Sequence, residues 1–101
     1  MKNYQRLKGL IAASFTPMDA HGKVNLFAID KYADLMAESG MTGVFVCGTT
    51  GESLSLTTEE RKNILEQWIK SANHRFKVIA HVGSNSQFEA MELARHATEA
   101  G

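Results

Sequence analysis

The sequence predicts an α/β fold on parallel strands, and within that class a (β/α)₈ (TIM) barrel of which this chain supplies about the first three βα units. Three observations carry this. Short apolar runs alternate with segments whose apolar residues recur at helical spacing. The runs begin about 33 residues apart, too far for hairpins, so the strands are expected to be parallel with right-handed crossovers. Three parallel strands also leave two raw sheet edges, which a barrel of eight strands and about 250 residues abolishes. Residues 1–101 then form the N-terminal part of one barrel domain. The competing α/β arrangement is a small doubly wound domain complete in itself.

The first run, Leu10-Ile11-Ala12-Ala13-Ser14-Phe15, stops at Thr16-Pro17, where proline removes a backbone donor. After the turn Asp19-Ala20-His21-Gly22, Asn25 is placed to cap a helix, with Val24 and Ile29 spaced as a hydrophobic staple. Ala28, Tyr32, Leu35 and Met36 mark one face of that helix, which ends near Gly40. The second run, Gly43 to Cys47, is continuously apolar, as expected of a parallel strand buried on both faces. A loop, Gly48-Thr49-Thr50-Gly51-Glu52-Ser53, leads to Thr57-x-x-Glu60, which has the spacing of a capping box. Ile64, Leu65, Trp68, Ile69 and Ala72 supply the buried stripe of the second helix. Phe76 to Val82 is the third strand, closed by Gly83, and Ser86-x-x-Glu89 repeats the capping box. Ala90, Leu93, Ala94 and Ala97 form the third stripe, with Gly101 where a C-terminal glycine cap belongs.

Composition narrows the function. Hydrophobic residues make up 44% and charged residues 22% of the chain, the balance of an ordinary globular domain rather than a disordered one. Eleven basic and eleven acidic side chains cancel, so there is no broad field to attract nucleic acid or an anionic membrane. The single cysteine, Cys47, has no intrachain partner, and Met1 to Arg6 lacks the apolar stretch of a secretory signal. A cytoplasmic setting is the expectation. Apolar runs such as Leu10 to Ala13 fall far short of the roughly 20 residues a membrane span needs.

In α/β folds ligands collect at the carboxyl ends of the strands. Here those ends are Phe15-Thr16-Pro17, Gly48 to Ser53 and His81-Val82-Gly83. The middle one carries the most information: Gly48 and Gly51 allow close backbone approach, and Thr49 and Thr50 add hydroxyls that both donate and accept. Amides freed by such a turn suit a carboxylate or phosphate. Phosphate motifs fail on detail. Gly43-x-x-x-x-Gly48 is followed by Thr49 where a P-loop requires lysine, and Gly48-x-x-Gly51 lacks the first glycine of a dinucleotide fingerprint.

The remaining polar residues suggest less. His81, near a strand end, either faces a ligand or is a buried histidine bonded to backbone. His21, His74 and His96 fall in a turn, a helix end and a helix surface, without metal-site spacing. Cys47 reads as inert packing, Trp68 and Tyr32 as core, and Glu52 is open to a general-base reading. Tyr4 has no evident role.

Gly48-Thr49-Thr50-Gly51-Glu52 after an apolar second strand, with Thr16-Pro17 ending the first and Ala80-His81-Val82-Gly83 ending the third, resembles the N-acetylneuraminate lyase / dihydrodipicolinate synthase family over nearly the whole chain. Ile79 to Gly83 is similar to the lyase branch, while Leu56 to Arg61 fits either. The resemblance implies a class I aldolase: a lysine forms a Schiff base with a keto carbon, and the iminium serves as electron sink for C–C cleavage. Its leading implication is reversible cleavage of N-acetylneuraminate to N-acetylmannosamine and pyruvate, without metal or organic cofactor. Dihydrodipicolinate synthase or another pyruvate-dependent aldolase is the nearest alternative, and a non-catalytic anion-binding module the alternative of another class. Further implied are a substrate site at Gly48, Thr49, Thr50 and Gly51, a catalytic proton relay through Thr49, and a homotetramer. None of the seven lysines (Lys2, Lys8, Lys23, Lys31, Lys62, Lys70, Lys77) ends a predicted strand. In the family the Schiff-base lysine and its partner tyrosine lie on later strands, so the 101-residue segment alone is expected to be inactive.

Overall fold

A computed structural model describes residues 9–101, so Lys2, Tyr4 and Lys8 lie outside the described residues. The elements run β1 (Ile11–Ala13), α1 (Phe27–Glu38), β2 (Gly43–Val46), a 3₁₀ turn (Ser53–Ser55), α2 (Thr58–Ala72), β3 (Lys77–Ala80) and α3 (Gln87–Ala100). The strands are parallel in the spatial order β1-β2-β3. A doubly wound domain complete in itself would reverse its strand order where its helices change faces, and these three strands show no reversal.

Register shows which face is covered. Ala12, Val44 and Val78 are neighbours across the sheet, as are Ala13, Phe45 and Ile79. Val44 and Val46 are fully buried in one cluster with Ile29 and Ala33 of α1, Ile64, Trp68 and Ala72 of α2, and Phe76. On the opposite face Ile11 and Ala13 are exposed and Phe45 and Ile79 only half-buried. All the helix packing is therefore on one side, as in a barrel wall whose other side faces its interior. At the centre of the packed side Trp68 meets Tyr32 edge-on at 5.1 Å and Phe76 at 6.2 Å between ring centroids.

The helix starts follow local chemistry. Thr57 accepts from the Glu60 amide at 3.0 Å while Glu60 accepts from the Thr57 amide at 2.8 Å, so the first capping box closes. The second closes only halfway: Ser86 accepts from the Glu89 amide, but the Glu89 carboxylate takes a hydrogen bond from Ser84 instead. Asn25 accepts from the Ala28 amide at 3.3 Å, although α1 itself begins at Phe27. Gly40, at φ +78°, ends α1, with the Met41 amide reaching back to the Met36 carbonyl.

Several boundaries and stripes depart from the sequence expectation. All three strands are shorter than predicted, because each apolar run continues past the ladder into the loop that leaves it. The α1 stripe is Ile29, Tyr32, Ala33, Met36 and Ala37, whereas Leu35 is 55% exposed. Those residues follow i, i+3, i+4, i+7, i+8 faithfully, and Leu35 falls one step around the helix from them. Ala94 of α3 is likewise exposed, and only Leu93 of its predicted stripe is buried. On α2 the predicted stripe residue Ile69 is only half-buried, one step around from the Ile64, Leu65, Trp68 and Ala72 face, which also takes in Arg61 and Ser71. Ser71 donates to Asp30 of α1, and Gln67 donates to both of them, forming a polar lock between the helices.

Candidate active site at the carboxyl rim

The chain leaves β2 abruptly. Cys47 takes up φ +58°, unusual for a residue with a Cβ, and turns the backbone out of the ladder at Gly48. Thr49 to Glu52 then form a tight turn, closed by the Glu52 amide on the Thr49 carbonyl at 3.0 Å and wrapped by the Ser53 amide on the Gly48 carbonyl at 3.2 Å. Gly48 and Gly51 are buried, while Thr49 and Thr50 between them are exposed at the carboxyl rim of the sheet. Among the described residues nothing accepts a hydrogen bond from the amides of Thr49, Thr50 or Gly51. Two hydroxyls and neighbouring amides are thus presented together where a parallel sheet offers its ligand site.

Gly51 has no room for a side chain. A Cβ there would lie 3.1 Å from the Cys47 Cα and 3.1 Å from the Ser14 carbonyl oxygen, both backbone atoms. A Cβ on Gly48 would meet only the Phe45 ring, which can move. Glu52, at φ +61°, contributes through its backbone, which accepts from the Ser55 amide and starts the 3₁₀ turn. Its side chain is exposed and makes no hydrogen bond among the described residues, so it is the main chain of Glu52 that shapes the loop.

The flanking strands both reach this turn. On one side the Thr16 hydroxyl, itself buried, donates to the Gly51 carbonyl at 2.7 Å, and Ser14 bonds the Phe45 carbonyl through its amide and its hydroxyl. On the other side His81 Nδ1 lies 3.0 Å from the Cys47 carbonyl. His81 is thus bonded to backbone through Nδ1 while remaining half-buried. Arg61 is 6% exposed and donates to the carbonyls of His81 at 2.6 Å and Gly83 at 2.7 Å. Sequence reasoning missed Arg61, whose only signal was a cation at i, i+3, i+4 and i+7 from Ile64, Leu65 and Trp68.

His96 is mostly buried rather than on the helix surface, with Nε2 3.6 Å from Glu66. With Arg61, Leu65 and Leu93 it lines a small cavity between the helices and β3, which excludes Thr49 and Thr50. His21 and His74 are exposed, and among the described residues no three His, Cys, Asp or Glu side chains converge as a metal site. Of the described lysines, Lys77 opens β3 at its amino end, Lys31, Lys62 and Lys70 lie on helices and Lys23 in a loop. None ends a strand, and Lys23 lies in the loop that leaves β1 at its carboxyl end.

Burial raises the Cys47 thiol from 9.0 to about 11, with nearby Arg61 pulling the other way. Because the folded value lies above the unfolded one, this burial contributes stability that is intact below pH 9.0 and lost as pH rises towards about 11. We expect iodoacetamide in mildly alkaline buffer to label Cys47 far more slowly in native than in urea-unfolded protein. Mass spectrometry of timed samples measures this, and equal rates would contradict a buried, protonated thiol.

No described helix is long and apolar enough to cross a membrane. Residues 6–101 match the model of the dihydrodipicolinate synthetase family. The chain is 46% identical over 99 residues to N-acetylneuraminate lyase A of Xenopus laevis, covering 96% of this chain and 32% of that protein. It superposes on the structure of a Ruminococcus gnavus sialic acid aldolase catalytic lysine mutant with TM-score 0.93 and 35% identity, covering 100% of this chain and 33% of the other. Dihydrodipicolinate synthase from Aquifex aeolicus gives TM-score 0.87 and 41% identity, with 92% and 31% covered. This chain therefore spans about one third of the relatives it matches.

Proposed function

The chain belongs to the dihydrodipicolinate synthetase family, whose fold is the (β/α)₈ barrel, and from that premise we propose that a full-length protein carrying it is a class I aldolase. The reaction proposed is reversible cleavage of N-acetylneuraminate to N-acetylmannosamine and pyruvate. Residues 1–101 then contribute about the first three βα units of one barrel domain.

The observation that carries this reading is the Thr49-Thr50 turn at the carboxyl rim, with its glycines buried and its hydroxyls exposed and unbonded among the described residues. The carboxylate of a 2-keto acid is a planar anion with lone pairs on both oxygens, matched by adjacent hydroxyl and amide donors. Gripping it there would place the keto carbon over the barrel mouth. Thr49 relays a proton towards a tyrosine supplied by the rest of the barrel, and Gly48 and Gly51 let the backbone come close enough to bind. The electron sink is the Schiff base of a lysine, also supplied by the rest of the barrel. The Ruminococcus gnavus relative, studied as a catalytic lysine mutant, supports a lysine-dependent reaction.

The 46% identity with the Xenopus laevis lyase supports the sialic acid branch, while the 41% identity with the Aquifex aeolicus enzyme favours a second reading, dihydrodipicolinate synthase activity. Turnover by the full-length chain separates them: pyruvate release from N-acetylneuraminate supports the first, and condensation of pyruvate with an amino aldehyde in place of a sugar supports the second. A cytoplasmic enzyme working as a homotetramer completes the proposal.

Borohydride reduction with pyruvate tests the chemistry directly. The full-length protein is expected to gain one covalent pyruvyl adduct per chain, and the 101-residue segment none, as intact-mass spectrometry would record. An adduct on the isolated segment would place the nucleophile among its own lysines and overturn the assignment.

A further inference from the structure

The Thr49-Thr50 turn is held at both ends by side chains from the strands on either side of it. At its far end the Thr16 hydroxyl donates to the Gly51 carbonyl at 2.7 Å across 35 residues of sequence. At its near end His81 meets the Cys47 carbonyl at 3.0 Å across 34 residues. The Cys47 carbonyl can only accept, so His81 Nδ1 must carry the proton there. With the proton on Nδ1 that nitrogen cannot accept, so Arg61 Nη2, 3.3 Å from it, is held instead by its bond to the His81 carbonyl at 2.6 Å. The His81 ring is further fixed edge-on against Phe45, with centroids 5.6 Å apart.

These contacts explain how a strained exit from β2 persists. Cys47 holds a left-handed φ at a cost that the surroundings must offset, and the His81 bond acts on that same residue. Gly51 is seated against the Ser14 carbonyl and Cys47 Cα with no spare room, so the Thr16 bond sets the height of the turn above β1. Neither bond involves Thr49 or Thr50, which remain exposed at the rim.

We propose that Thr16 and His81 are positioning residues that clamp the two ends of the Thr49-Thr50 turn, with Arg61 locking the His81 backbone, so that the turn meets the keto-acid carboxylate already in its binding geometry. This rests on the reading of that turn as the carboxylate site. Its consequence is kinetic. Loosening either end should weaken capture of the keto acid without removing the chemistry, because the nucleophile lies elsewhere.

The test uses the full-length protein and the pyruvate concentration that half-saturates borohydride-trapped adduct formation. In Thr16→Val and His81→Phe that concentration is expected to rise about tenfold, while the adduct formed at saturating pyruvate remains one per chain. Thr16→Ser and His81→Asn, which restore a donor at each position, are expected to return it to within about threefold of the parent. A variant that lost only folded protein would form less adduct at saturation with an unmoved half-saturation point, and that result would overturn the clamp. Thr50→Val locates any failure. If it shifts half-saturation and the clamp variants do not, the clamp is wrong and the carboxylate site stands; if it too shifts nothing, the site reading itself falls.

Discussion

Thr49→Val in the full-length enzyme is expected to lower kcat for N-acetylneuraminate cleavage by about 10²- to 10³-fold, the range seen when one positioned proton-transfer or donor group is removed. Valine keeps the volume and β-branching of threonine and deletes only the hydroxyl, so the turn retains its shape. Thr49 is exposed and its side chain bonds to no described residue, so the melting temperature should stay within about a degree or two, as surface substitutions usually do. Thr49→Ser restores a hydroxyl and should recover most of the activity. Pyruvate release followed through a coupled dehydrogenase measures the effect. A Thr49→Val enzyme with parental kcat would remove Thr49 from the mechanism.

The largest expected effect on stability is at Trp68. It is fully buried and stands at the junction of α1, α2 and the strand that Phe76 leads into, stacked edge-on against Tyr32 and Phe76. Trp68→Ala opens a cavity beneath three elements at once and should cost about 3–5 kcal/mol, a large share of the 5–15 kcal/mol typical of a whole domain. Trp68→Phe keeps an aromatic ring in the slot and should cost markedly less. Since Trp68 is the segment's one tryptophan, urea unfolding is best followed by far-ultraviolet circular dichroism. An unchanged midpoint for Trp68→Ala would mean that the core does not depend on this junction.

Most of the architecture was legible in the sequence because its signals are local. Apolar runs, a helical stripe on α2 and the reciprocal Thr57 and Glu60 pair each act within a few residues; each element appears within its predicted segment, with shorter strands and with Ile69 off the buried stripe. The misreadings share a different cause. Leu35 and Ala94 were assigned to buried stripes from their spacing, yet burial depends on which neighbour covers the helix, and no described residue covers those flanks. The second capping box failed halfway because Ser84, two residues outside the motif, competes for the same carboxylate. The part Glu52 plays in the loop comes from a left-handed main chain, which residue type alone does not signal.

The candidate site divides in the same way. Sequence by itself determined that two threonines between two glycines follow a buried parallel strand, since strand, turn and hydroxyl chemistry are properties of neighbouring residues. Only the tertiary structure decided how that turn is held. The Thr16 bond to Gly51, the His81 bond to Cys47 and the Arg61 bonds to β3's exit join residues 20 to 35 positions apart. No periodicity encodes such contacts, because they exist only once parallel pairing has brought three strand ends to a single rim.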